Sequence, residues 1–135
     1  MKRILVTLGS AFVLVVGLSM DSGQLFAHHG RGATYDGTKV VTLKATITEV
    51  AWRNPHVAIY ADVKGDDGKV VNWGFESQNV SSLTRIGFFR NTLRTGQEIT
   101  VKFNPSRSGA PVGVIRKILL PDGTEVLSFG GPIDA

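Results

Sequence analysis

From Val40 to Trp52 the chain reads VVTLKATITEVAW, and this run constrains the fold more than any other. Val41, Leu43, Ala45 and Ile47 alternate with Thr42, Lys44, Thr46 and Thr48, the period of two that marks a strand with one buried face. After Thr48 the parity reverses, and Val50 and Trp52 occupy what had been the polar side. A long first strand with a bulge or sharp bend near Glu49 accounts for the reversal. A strand that bends in this way belongs to a sheet that curls, so the first expectation is a β-barrel.

The rest of the chain fits that expectation. Beyond the Asn54-Pro55 turn, Val57, Ile59, Ala61 and Val63 face inward, and His56, Ala58, Tyr60 and Asp62 face outward. KGDDGK is a hairpin connection whose Asp67-Gly68 accepts positive φ. The third strand, VVNWGFES, sets Val71, Trp73 and Phe75 against Asn72, Gly74 and Glu76. One short helix follows: Asn79 caps it, Val80, Leu83 and Ile86 line one face, and Gly87 ends it. A fourth strand turns Ile99, Val101 and Phe103 inward. NPSRSGAPVG reads as a long mobile loop, VIRKILL as a fifth strand, and TEVLSF as a last short one.

Three strands, a helix, then two or three strands predict a mainly β fold. The expected form is a small OB-like Greek-key barrel of five to six strands with one short helix, preceded by a signal-peptide helix. An open sheet packed on the helix is the alternative.

The first residues, MKRILVTLGSAFVLVVGLSMDSGQLFAHH, read as an export signal. Lys2 and Arg3 precede an uncharged apolar run from Ile4 to Leu18, shorter than the roughly 20 residues of a spanning helix. Cleavage is expected after Ala27, and retention of the segment as an inner-membrane anchor is the competing reading. The expected organisation is a signal peptide over 1–27, a flexible arm over 28–39, the barrel over 40–130 and a tail over 131–135. Removal of 1–27 takes away Lys2, Arg3 and Asp21, so the formal charge falls from +4 to +3. It also takes away both methionines. With no cysteine in the chain, the mature domain would contain no sulfur. A metal site in it would be built from nitrogen and oxygen, which excludes thiolate zinc, iron–sulfur and thioether copper chemistry.

The chain has only three histidines, His28, His29 and His56. Cleavage after Ala27 would leave His28 with a free α-amine beside its imidazole, a chelating pair for one ion. A third nitrogen from His56 or His29 completes a site suited to Cu(II) or another divalent metal. Cleavage one residue earlier would place His29 third from the amine, a second arrangement that suits Cu(II). Trp52, Asn54, Tyr60 and Glu76 are the expected ligand-binding surroundings on the face of the loop between strands one and two. The competing account is a barrel that holds a partner protein or small organic ligand at this face, the His pair being incidental.

Enzyme readings find little support. The chain has no G-x-S-x-G elbow, no nucleophilic cysteine and no P-loop. Asp66-Asp67 lie at a hairpin tip. Nucleic acid is not an expected partner, because Tyr60 is the one clear outward aromatic on strands two and three and export removes most such partners.

Several of these residues carry a resemblance. AHH after the signal, Tyr35-Asp36, W-x-N-P-H at Trp52–His56, VNWGFE at Val71–Glu76 and LRTGQEITV at Leu93–Val101 are similar to a family of small exported proteobacterial proteins, catalogued as a domain of unknown function. The resemblance implies a periplasmic OB-like barrel and assigns no activity. Phe88-Phe89 stand here where members of that family often have Trp after the helix.

Overall fold

The computed structural model describes residues 31–130. The expected signal helix, its cleavage site, His28, His29 and the tail over 131–135 lie outside the described residues. Among the described residues no helix is long and apolar enough to cross a membrane.

The chain forms α1 (Arg31–Thr34), β1 (Val41–Ala51), β2 (Ala58–Lys64), β3 (Val70–Glu76), α2 (Val80–Arg85), β4 (Glu98–Pro105), β5 (Val112–Leu119) and β6 (Glu125–Ser128). The strands pair in the order β3-β2-β1-β4-β5-β6, and a further pairing of β3 with β5 closes the first five into a barrel. The β3–β5 contact is parallel and the other pairings are antiparallel. The circuit is therefore β1-β2-β3-β5-β4 and back to β1, with a helix between β3 and β4: the OB arrangement. β5 gives the start of one edge to β3 and its far end to β6.

The parity reversal in β1 has the expected cause. Ile47 lies opposite Ala61 and Glu49 opposite Tyr60, so Thr48 is one residue too many and the register shifts there. The extra residue turns Val50 to the same side as Ile59, and β1 continues its inner row past the bend.

The inner rows interlock as the alternation requires. Val57, Ile59, Ala61, Phe75, Val101, Phe103, Ile115 and Ile118 are buried in one core cluster. An aromatic group fills its centre: Phe75 meets Phe103 edge-on at 5.0 Å, and Trp73 stacks on Phe75 at 6.0 Å. Gly113 is what lets β5 approach this group. A Cβ on Gly113 would stand 2.2 Å from the Phe103 ring.

Two local readings are corrected. Ile86 does not line the buried face of the helix and is 58 % exposed. α2 is only six residues long, and Gly87 at φ +82° reverses the chain. The Phe88 amide then returns to the Leu83 carbonyl at 3.0 Å, so Phe88 fills the core position that the pattern had given to Ile86. The loop between β4 and β5 is also shorter than expected, because β4 runs to Pro105 and β5 starts at Val112. Asn79 caps α2 as its residue type predicts, accepting from the Ser82 amide at 2.8 Å.

Candidate functional site

His56 and Glu76 meet because strand pairing puts them on one face. Ala58 is opposite Glu76, and His56, two residues before Ala58, is the diagonal neighbour of Glu76 across the hairpin. Beyond the ladder, the Ser77 amide donates to the Val57 carbonyl and the Val57 amide to the Gln78 carbonyl, which fixes the backbone on both sides of the pair. His56 Nδ1 lies 2.9 Å from Glu76 Oε1. The imidazole is exposed and the carboxylate partly buried.

The second carboxylate oxygen is also engaged. The Tyr35 hydroxyl donates to Glu76 Oε2 at 2.9 Å, across 41 positions of sequence. Tyr35 is buried, 7 % exposed. Its segment is fastened along the end of β4. Tyr35 bridges Ser106, the Asp36 amide donates to the Pro105 carbonyl at 2.8 Å, and the Arg107 amide donates to the Thr34 carbonyl at 3.0 Å. Asn104 adds a side-chain bond to the Lys39 carbonyl. Asp36 itself closes the turn. The Thr38 hydroxyl at 2.6 Å and the Thr38 amide hold its carboxyl below the usual carboxylate range, with Arg107 and Lys39 adding positive charge nearby.

One carboxylate thus joins three parts of the chain: the segment before β1, the start of β2 and the end of β3. With Glu76 accepting from Nδ1, the neutral form of the His56 imidazole would carry its lone pair on Nε2. Such an arrangement can hold an imidazole in one tautomer and one orientation for a ligand.

The other site expectations are placed differently. Tyr60 lies on the same outer face, opposite Gly74, two pairs along from Ala58 and Glu76, and its ring covers Gly74. Trp52 stacks on Phe88 at 6.2 Å beyond the end of α2. Asn54 Oδ1 accepts from the Val80 amide at 3.2 Å and ties the loop to the start of α2. The structure therefore brings His56, Glu76 and Tyr60 onto one face, while Trp52 and Asn54 make their contacts with α2 and the residues after it. His28 and His29 lie outside the described residues. Among the described residues no three His, Cys, Asp or Glu side chains gather closely enough to hold a metal ion.

Tyr35, which the sequence offers as a residue to pin the Gly-rich arm in a pocket, was not among the expected site residues. Its signal was present: a lone aromatic in a Gly-rich stretch has no strand or helix pattern to explain it.

The comparisons with known proteins speak to family alone. The model of DUF6152, a family of unknown function, matches residues 15–116, and no curated protein matches. The chain belongs to that family.

Proposed function

We propose that this DUF6152 member is an exported, non-enzymatic binding module of the periplasm that holds Cu(II) or another divalent metal through His56 together with His28 and His29. The observation that carries the reading is the shared carboxylate, with His56 Nδ1 and the Tyr35 hydroxyl each 2.9 Å from an oxygen of Glu76. Metal-bound histidines characteristically give their second ring nitrogen to a carboxylate, which orients the ring and raises its basicity. The same carboxylate fastens the chain at Tyr35, and His29 stands six residues earlier. Six residues span at most about 20 Å, the length of chain available for the proposed approach of His29. The expected export signal, and the sulfur-free sequence that its removal would leave, add to the reading, since nitrogen and oxygen donors suit Cu(II).

Copper titration of processed protein, followed by calorimetry and electron paramagnetic resonance, tests it. The expected result is binding of about one equivalent with several nitrogen ligands, lost in His56→Ala. Glu76→Gln should weaken binding roughly 10- to 100-fold, as second-shell replacements do. Binding that is unchanged in His56→Ala would assign the metal to the amino-terminal residues alone and overturn the proposal. An absence of specific binding in the parent protein would favour the partner-protein or organic-ligand reading of the same face.

A further inference from the structure

The correction at Ile86 leaves two large apolar side chains facing solvent within four residues. Ile86 is 58 % exposed and Phe89 is 48 % exposed. Neither arises from a loose end. The Ile86 amide is held by the Leu83 carbonyl at 3.1 Å, and Phe89 heads a tight turn in which its own amide bonds the Thr92 hydroxyl at 2.8 Å while the Thr92 amide bonds its carbonyl at 3.0 Å. Buried Phe88 and Leu93 root the segment in the core on either side of that turn. The apolar pair is therefore displayed on a rigid support.

The charged residues within the segment carry a single sign. Arg85, Arg90 and Arg94 are all exposed, and residues 77–97 contain no Asp or Glu. None of the three arginines forms an ion pair with another described residue. By contrast, Lys117 on β5 pairs with Glu125 on β6 at 3.0 Å.

From this juxtaposition we infer that residues 85–94 form a docking surface for an anionic lipid bilayer, with Phe89 and Ile86 entering the interface and Arg85, Arg90 and Arg94 meeting lipid phosphates. Charge complementarity selects an anionic surface, and the apolar pair selects one with an accessible hydrocarbon layer. A stable protein interface covers roughly 800 Å² on each partner around a buried core. Two projecting side chains on one turn do not supply such a core. A bilayer accepts any projecting apolar tip, and each arginine near an anionic surface strengthens binding about fivefold. The expected attachment is weak, reversible and sensitive to salt. This inference stands apart from the metal proposal, since the turn shares no residue with the Tyr35–Glu76–His56 group.

The test uses the full chain, with a fluorophore on Asn91→Cys. The parent has no cysteine, so the label goes to this turn alone while Ile86 and Phe89 stay intact. Vesicles of phosphatidylcholine and phosphatidylglycerol at roughly 7:3 should shift the emission to the blue, and phosphatidylcholine alone should not. Replacing the three arginines by Gln should lower the apparent affinity roughly a hundredfold, and Ile86→Ser with Phe89→Ser should abolish the shift. Circular dichroism of these exposed-residue variants checks that the fold persists. Vesicle co-sedimentation without a response of the label would place attachment elsewhere, such as the apolar run Ile4–Leu18, and would overturn the inference. A response to a polyglutamate peptide with none to vesicles would also overturn it, in favour of an acidic protein partner.

Discussion

Two polar concentrations on this barrel can be set side by side. At one, His56 and Tyr35 converge on the carboxylate of Glu76 from segments far apart in sequence. At the other, Lys44, Thr46, Asp62, Lys64, Glu98 and Thr100 line a groove of about 410 Å³ across β1, β2 and β4. The groove has more charges, with Lys44 on β1, Asp62 and Lys64 on β2 and Glu98 on β4, so both signs are present along it. In the Glu76 group the parts are oriented by one another. The difference teaches that convergence on a shared carboxylate, and not the number of charges, marks the candidate site.

The comparison breaks most readily at the core beneath the site. Gly113→Ala would force a methyl group onto the Phe103 ring and disturb the β3–β5 pairing that carries Glu76. A loss of about 2–3 kcal/mol is expected by urea denaturation, the scale of an overpacked core. The His56 and Tyr35 resonances should move, while those of Lys44 and Glu98 move less.

Tyr35→Phe keeps the buried ring and removes only the hydroxyl that Glu76 accepts. The expected cost is about 1 kcal/mol, because the partly exposed carboxylate can recruit water in its place. Hydrogen exchange at the Asp36 amide should quicken, since that amide is bonded to Pro105 in the same fastening.

At the groove, Lys44→Gln and Lys64→Gln should change stability by less than about 0.5 kcal/mol each. A larger change would mean that the groove charges are as organised as the Glu76 group and would dissolve the distinction.

The smallest effect is a titration. Because Thr38 lowers the folded pKa of Asp36, the contribution of Asp36 is fully present above the ordinary carboxylate value and is lost as pH falls through the lowered one. Thr38→Val should move the Asp36 carboxyl midpoint upward in a carbon-13 titration.

Much of this architecture was legible in the sequence. The parity reversal at Thr48 located the bulge, and the alternation in β2 and β4 named core residues from Val57 to Phe103. Asn79 and Gly87 located the ends of α2, because capping is local chemistry. What could not be read was set by tertiary contact. Ile86 and Phe88 are equally apolar, and only the reversal at Gly87 decides which one enters the core. Glu76 and His56 were legible as neighbours of the loop, since pairing of β2 with β3 follows from the hairpin. Tyr35 was legible only as a lone aromatic able to anchor its arm; its partner was not, because the contact with Glu76 crosses 41 positions.

The central claim is that Glu76 fixes His56 with its Nδ1 proton inward and Nε2 available to a ligand. A two-bond proton–nitrogen correlation spectrum of the neutral imidazole measures this most directly. The account predicts the Nδ1–H tautomer in the parent protein and loss of that preference in Glu76→Gln. A dominant Nε2–H tautomer, the same in both proteins, would contradict it.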